Sequence, residues 1–279
     1  MEITEIIKEA FVFPSRDLGK LAIYIALTIV IVLLAGGGLL AVVAGIAGTS
    51  IVSSILGSAL FIVSLLLGFI ISGYQISIIK SGIDSEESAP SFDWGANLIT
   101  GIKNLIVSIV YFIIPAIIVV IMAFITNVPG NVMALVQSTA LSSVNATTMA
   151  NSTTPVMGAI STTLINNLIS SLAITGVVAV ILFIIFAFIQ SMGQARLANT
   201  DSLGTAVNIP DAFKDIGRIG WGKVLATIII VIIVMFVVNF IISAIAQHVP
   251  VIGFLSIIIT PYLAFFSSRA IGLLYSDIA

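Results

Sequence analysis

The sequence predicts an all-α integral membrane protein with six transmembrane helices. Its 279 residues are 59% hydrophobic and only 8% charged, whereas soluble domains carry about 25% charged residues. Charge-free runs of 59, 92 and 45 residues separate four short segments that hold all the charged side chains. Because about 20 apolar residues cross the roughly 30 Å hydrocarbon core, each run can hold two crossings that return to the side they left. The charged segments are residues 2–20, 80–103, 196–223 and 269–277.

The positions of the basic residues predict the orientation. All ten Lys and Arg residues lie in the charged segments and therefore on one face, which the positive-inside rule assigns to the cytoplasm. We expect a plasma-membrane protein with both termini in the cytoplasm. The chain has no cysteine, which excludes disulfides and cysteine metal sites. A net charge of −2 indicates neither a nucleic-acid partner nor a polybasic lipid site.

The three charge-free runs predict three hairpins within a single membrane domain. A run of three glycines, 36–38, is expected to weaken or kink the first helix. The predicted crossings are residues 21–47, 51–79, 104–126, 164–195, 224–245 and 251–268. The corresponding repeat-like units are about residues 1–82, 88–200 and 207–279.

A stretch with apolar residues at helical spacing precedes each outward crossing, as is typical of an amphipathic helix at a membrane interface. The shared order of amphipathic helix, crossing, outer turn and crossing predicts parallel repeats about a pseudo-threefold axis along the membrane normal. The amphipathic helices either lie at the acyl boundary or pack together as a collar that docks a partner. Their apolar residues are Ile3, Ile6, Ile7, Ala10 and Phe11, then Trp94, Leu98, Ile102 and Leu105, then Ile209, Phe213, Ile216 and Gly220.

Only neutral polar residues fall inside the predicted crossings, among them Asn166, Asn167, Gln190 and Asn239. Intramembrane ionisable residues normally mark ion or proton pathways, so the sequence does not favour a coupled transporter. Two interpretations of the neutral residues remain. They form hydrogen bonds between helices, or they line a weakly polar path for a neutral or lipid-like solute.

The sequence favours neither an enzyme nor a cofactor or metal site. His248 is alone at the predicted last outer turn, and every carboxylate lies in a charged segment, so no catalytic constellation is expected. The long outer loop is expected to contain a short helix over 132–141. Asn145 and Asn151 there each begin a glycosylation acceptor pattern.

One group of motifs surrounds the second charged segment, and a further motif lies in the last helix. These motifs comprise Gly73-Tyr74, the stretch Pro90-Ser91-Phe92-Asp93-Trp94-Gly95, Gly101-Ile102-Lys103, the stretch Tyr111–Pro115, and the ending from Pro261-Tyr262 to Tyr275. This group resembles the membrane-protein family known as domain of unknown function 4013. The resemblance implies an archaeal or bacterial multi-pass membrane protein, and it transfers no catalytic residue because no activity is established for the family. From chemistry alone, Asp93 suits a helix start and Trp94 a headgroup anchor.

These observations predict a non-enzymatic membrane module that organises protein partners, or associates with itself, through its inner amphipathic helices. The alternative is a facilitator or exporter of neutral or lipid-like molecules. A cavity ending at Asn166, Asn167 or Asn239 would favour that alternative, whereas a solid helical core would favour the module.

Overall fold

The computed structural model describes residues 1–48, 50–148 and 162–279, and all regular structure in them is helical. Of the described helices, α2, α3, α4, α6, α9 and α10 are long and apolar enough to cross a membrane. The predicted all-α membrane class is therefore confirmed. The helices are α1 (Ile3–Arg16), α2 (Leu18–Ala47), α3 (Ile51–Ile83), α4 (Trp94–Ile125), α5 (Val128–Thr148), α6 (Thr162–Thr200), α7 (Leu203–Ala206), α8 (Ile209–Ile219), α9 (Trp221–Ala246) and α10 (Ser256–Tyr275), and a 3₁₀ helix (Pro250–Leu255) precedes α10.

Several helices are longer than the sequence predicts. The stretch expected to form a separate amphipathic helix from Trp94 is continuous with its crossing in α4. Helix α10 continues to Tyr275, beyond the expected end at Ser268. Helix α4 begins before its apolar run and α10 ends after its own, and in both helices the added polar turns pack against other parts of the protein.

The three glycines at 36–38 do not interrupt α2, which is helical from Leu18 to Ala47. A Cβ on Gly38 would lie 2.8 Å from the Gly57 carbonyl oxygen, and one on Gly57 would lie 2.5 Å from the Gly38 carbonyl oxygen. Glycine at these positions allows the backbones of α2 and α3 to touch, as small residues do at helix contacts in membranes.

The segment after α4, which the sequence analysis assigns to the outer loop, contains a longer helix than expected. Helix α5 covers Val128–Thr148, whereas the sequence predicts a helix over 132–141 only. The described side chains of α5 end at Ser138. The side chain of Asn145 and the whole of Asn151 lie outside the described residues.

The chain divides into two compact units. Unit 2, Tyr111–Ala187, contains the C-terminal part of α4, all of α5 and the N-terminal part of α6. Inside it the hydroxyls of Thr126 and Thr175 lie 2.8 Å apart, and the rings of Phe112 and Phe183 lie 5.6 Å apart. Polar and aromatic contacts thus hold α4 to α6 within this unit.

Unit 1, Met1–Val110 with Phe188–Ala279, contains every charged residue. Its four charged segments bond to one another, and we call the surface that they form the charged face. In the apolar stretch of α10, 56% of the residues are buried, compared with 6–17% in the other five long helices. Helix α10 is therefore the most buried of the six long helices. The bonds between segments include Arg269 to Glu9, Arg269 to the Glu86 carbonyl, Lys103 to Asp201, and Tyr275 to Asp215.

Candidate functional site

Motif residues of α3 and of the connection that follows it meet at the charged face. Tyr74 is fully buried, and its hydroxyl donates to the Pro90 carbonyl oxygen at 3.0 Å. The Tyr74 ring centroid lies 4.6 Å from that of Phe92, which in turn lies 5.1 Å from the Trp94 ring. Asp93 Oδ1 accepts the backbone N–H three residues later at 3.0 Å, so this carboxylate caps α4. The motif thus fixes the connection between α3 and α4 and leaves Trp94 half exposed.

Two glycines bring α3 and α4 into direct backbone contact. A Cβ on Gly73 would lie 1.8 Å from the Asn97 carbonyl oxygen, and one on Gly101 would lie 1.8 Å from the Phe69 carbonyl oxygen. No side chain fits at either position without separating the helices. Gly95 differs, since a Cβ there would be 3.7 Å from its nearest neighbour, the carboxylate of the cap residue.

Arg269 of α10 is a buried cation, 2% exposed. Its Nη2 donates to the Glu86 carbonyl oxygen at 2.6 Å and to Glu9 Oε1 at 3.3 Å, and its Nη1 donates to the Ser81 hydroxyl at 3.3 Å. The guanidinium also lies 4.3 Å from the centre of the Phe13 ring, within the range of a cation–π interaction. One side chain therefore joins α1, α3, the connection after α3 and α10.

Glu9 is shared between two arginines. Arg16 donates to both of its oxygens, at 2.7 Å and 2.6 Å, in addition to the bond from Arg269. Burial alone would raise the pKa of Glu9, but the hydrogen bonds and charges of the two guanidinium groups outweigh it and hold the pKa below its ordinary value of 4.5. The carboxylate is therefore ionised at neutral pH.

Asp215 of α8 is the second buried charge, 1% exposed. Its Oδ2 accepts from Arg196 Nη1 at 2.6 Å and from the Tyr275 hydroxyl at 3.0 Å. Its Oδ1 accepts from Arg218 Nη1 at 3.3 Å. Asp215 thus connects α8 to the ends of α6 and α10.

The buried side of α8 differs from the predicted one. The periodicity puts Phe213 with Ile216 on the apolar side and Asp215 on the polar side, but the structure buries Ala212, Asp215 and Ile216 and leaves Phe213 48% exposed. The helix is rotated about its axis relative to the prediction, because the Asp215 carboxylate is hydrogen-bonded in the interior to two arginines and a tyrosine hydroxyl. In α1, likewise, Phe11 is 45% exposed while Ile6 and two other apolar residues of that helix are fully buried.

A ladder of neutral polar side chains links α3, α4 and α6 within unit 1. Asn104 Nδ2 donates to the Ser72 hydroxyl at 2.9 Å, and Gln194 Nε2 donates to Asn104 Oδ1 at 3.2 Å. One turn further along, Gln190 Nε2 donates to the Ser108 hydroxyl at 2.8 Å. Gln190 is thus an interhelical bridge, and Asn104 joins two neighbouring helices.

The structure distributes the other predicted polar residues differently. Asn239 is exposed on α9, and its Nδ2 donates to the Met235 carbonyl oxygen of the same helix at 2.8 Å. Asn166 and Asn167 are exposed near the start of α6 in unit 2. The Asn167 carbonyl oxygen accepts from Asn131 Nδ2 at 3.3 Å. Asn239 therefore satisfies its amide within its own helix.

Unit 1 also contains a cavity of about 380 Å³ between α2, α3 and α4. Its walls are mainly apolar, and its polar lining is Ser64, Ser72, Asn104 and Ser108. The polar ladder thus forms part of its surface. The lining residues of α2 are Ile31 and Ala35.

The sequence analysis did not select Asp215 or Asn104, and it included Arg269 only as part of the family-like ending. A signal for Arg269 was present, because Phe265, Phe266 and Leu273 lie three or four positions away on one helical face and are all buried. No comparable local signal exists for Asp215, whose partners come from α6 and α10. Within residues 1–48, 50–148 and 162–279, no three His, Asp or Glu side chains form a group that could hold a metal ion.

Six long apolar helices and a charged face define this chain as a multi-pass all-α membrane protein. A family model described as a protein of unknown function (DUF4013) matches residues 56–247, more than half of the chain, and the protein belongs to this family. The resemblance seen in the sequence motifs is confirmed. The match includes Tyr74, Gly101 and Asp215 and ends before Arg269. Comparison with curated proteins and with solved structures gives no match.

Proposed function

We propose that this protein is a non-enzymatic scaffold of the plasma membrane, with six crossings in three hairpins and its charged face in the cytoplasm. The contacts among all four charged segments support this topology, because each intervening apolar run must then return to the side it left. The presence of all ten Lys and Arg residues in those segments supports the cytoplasmic orientation of both termini.

The same proposal includes a threefold repeat of the hairpin unit. Its support is that α1 and α8 are short helices that each directly precede a crossing. In the middle unit the corresponding stretch from Trp94 is the first part of α4. Fusion of the two helices in one unit is compatible with a shared ancestral order of elements.

The observation that carries the scaffold function is the fixed geometry of the charged face. Arg269 and Asp215, both nearly inaccessible to solvent, connect α1, α3, α6, α8 and α10 through charge-assisted hydrogen bonds. The carboxylates of Glu9 and Asp215 are occupied by arginines, which is a structural use rather than a catalytic one. A face whose helices are held in one arrangement can present the same surface to every partner.

Exposed aromatic residues on this face provide candidate contact points. Phe213 and Trp221 are 48% and 44% exposed, and their ring centroids are 4.9 Å apart in an edge-to-face arrangement. Phe11 on α1 is 45% exposed. We propose that these side chains contact a protein partner or a second copy of the chain.

Photo-crosslinking tests the proposal. A benzoylphenylalanine in place of Phe213 should give a protein adduct in native membranes, at twice the chain mass for self-association and at another mass for a partner. The matched control is the same replacement at Phe236, which is 68% exposed in the apolar part of α9 and should give lipid adducts only. Lipid adducts alone at both positions would contradict docking through this face.

The cavity between α2, α3 and α4 supports the second candidate, a facilitator of neutral or lipid-like molecules. Its polar lining includes Asn104, whereas Asn166, Asn167 and Asn239, at which the sequence analysis placed such a cavity, do not line it. Its lining combines apolar walls with neutral hydrogen-bonding groups, as expected for a weakly polar solute. Proteoliposome swelling in glycerol tests passage. Swelling no faster than in protein-free vesicles would exclude facilitation of this solute.

A further inference from the structure

One end of the cavity between α2, α3 and α4, which we call the narrow end, lies where the backbones of α3 and α4 touch, next to the charged segment 80–103. At its narrow end Gly101 holds the backbone of α4 against α3, and Asn104 is hydrogen-bonded to Ser72. Beside this contact Gly68 of α3 faces open space, because a Cβ there would meet no atom within 4 Å. Leu65, at the side of the cavity, is 48% exposed. The cavity is therefore accessible from the bilayer.

The length of the cavity matches one leaflet. Its lining on α3 extends from Phe61 to Ser72, about 16 Å at 1.5 Å per residue. Half of the roughly 30 Å hydrocarbon core is about 15 Å. A single hydrocarbon chain lying along α3 would thus extend from the membrane centre to the polar end of the cavity. The volume of about 380 Å³ falls in the range of known ligand sites, about 300–1,000 Å³.

The narrow end offers hydrogen-bond donors that the protein does not use. Within the described part of the chain, the Ser72 hydroxyl accepts from Asn104 and its own hydrogen has no protein acceptor. Asn104 has two amide N–H groups, and one of them is occupied by Ser72. The twelve lining residues include no charged side chain. This end is suited to a neutral acceptor oxygen and not to a phosphate.

We infer that the cavity binds one chain of a glycerolipid from the leaflet next to the charged face, with the ester or ether oxygen of that chain at Ser72 and Asn104. An oxygen at the boundary of the hydrocarbon core, followed by a chain about as long as one leaflet, is the arrangement of a membrane glycerolipid. The site does not depend on whether the charged face docks a protein, so crosslinking at Phe213 leaves this inference unaffected.

Retention of a photoactivatable lipid tests the site. The protein is reconstituted with a phosphatidylcholine that carries a diazirine in one acyl chain, extracted, passed through lipid-free detergent to remove loose lipid, and then irradiated. We expect one label per chain, mapped by mass spectrometry to Ile31, Ala35 or Leu65. Labels spread equally over Leu33, which is 67% exposed outside the cavity, would overturn the inference.

Variants identify the cavity as the cause of retention. Gly68→Leu puts a side chain into the open space and should lower labelling by about tenfold, because little room then remains for the lipid chain. Gly37→Leu is the matched control, since a Cβ there also meets no atom within 4 Å and Gly37 does not line the cavity. Ser72→Ala should weaken retention by about two- to tenfold, the loss of one neutral hydrogen bond.

A second filling variant covers the case in which Gly68→Leu does not fold. Ala35→Leu narrows the cavity from α2 and should produce the same loss of label. Wild-type labelling of a folded variant with either leucine would overturn the inference. Equal loss in Gly37→Leu would also overturn it, because that outcome would trace the effect to helix properties outside the cavity.

Discussion

Replacing Glu9 by Gln isolates the buried cation of the charged face. The substitution preserves side-chain shape and removes the negative charge that Arg269 and Arg16 share. The remaining acceptors of Arg269, the Ser81 hydroxyl and the Glu86 carbonyl, are neutral, so the guanidinium becomes an uncompensated buried charge. Breaking a buried ion pair by removing one partner costs about 3–5 kcal/mol.

The structure places the expected loss below that range. The Glu9 side chain is 23% exposed, compared with 2% for Arg269, so water screens part of the interaction. One further group of the site, Arg269 Nε, is already buried without a hydrogen-bond partner within the described residues. We therefore expect Glu9→Gln to lower the free energy of unfolding by about 2–3 kcal/mol.

Thermal unfolding in detergent, followed by circular dichroism, measures this loss. Glu5→Gln on the exposed side of α1 is the matched control. Its amide oxygen can still accept the Glu2 backbone N–H that Glu5 accepts in the capping box, so stability should change by about 0.5 kcal/mol or less. In an Arg269→Met background the cation is absent, so Glu9→Gln should cost only about 0–1 kcal/mol, the loss of its more exposed pair with Arg16. If Glu9→Gln lowered stability equally in the wild-type and Arg269→Met backgrounds, the proposed coupling would be refuted. A Glu9→Gln variant with the melting temperature of the wild type would refute it as well.

Three further outcomes are expected. Gly101→Val should separate α3 from α4 and destabilise the protein by about 2 kcal/mol or more. The control Gly176→Val, at a site where a Cβ would meet no atom within 4 Å, should have little effect. Equal melting temperatures of the two variants would contradict the backbone contact. The folded-state pKa of Glu9 lies below its ordinary value of 4.5. Its contribution to stability should therefore be complete at pH 7 and decline as the pH falls below about 4.5. Between pH 7 and pH 3 the melting temperature of Glu9→Gln should fall less than that of the wild type. In intact cells an impermeant thiol reagent should label a cysteine at Gln247 and not one at Ser85; labelling at Ser85 would refute the cytoplasmic orientation.

Local sequence properties were sufficient for the crossings. Hydropathy and length locate six apolar helices because the bilayer imposes one requirement, burial of every backbone polar group over about 30 Å, on each of them. The same reasoning fails at helix ends. Residues after Ser268 and before Asn104 are helical in the structure because of tertiary contacts, which the local pattern does not contain.

The structure brings three motif residues into contact, and it buries Asp215 through partners that are distant in the sequence. Tyr74, Pro90 and Phe92 lie within 20 residues of one another, so their proximity follows from a short connection. Asp215, in contrast, is bonded to Tyr275, 60 positions away, and its burial depends on how α8 is turned. An amphipathic pattern assigns charges to the solvent side, and only knowledge of the tertiary partners reverses that assignment.

The bond between Glu9 and Arg269 spans 260 positions of the chain, which has a consequence for biogenesis. At about 5–20 residues per second, a ribosome needs roughly 13–50 s to synthesise the intervening chain. Arg16, seven residues away, forms a bidentate pair with Glu9 and is synthesised soon after it. The Glu9 carboxylate can therefore be paired before Arg269 has been synthesised. Arg269 is synthesised 260 residues after Glu9, so the contacts around its guanidinium form only after α10 has been integrated. A chain released before that step would expose Ile6 and Phe13, which are fully buried in the finished protein, to the machinery that degrades unassembled membrane proteins.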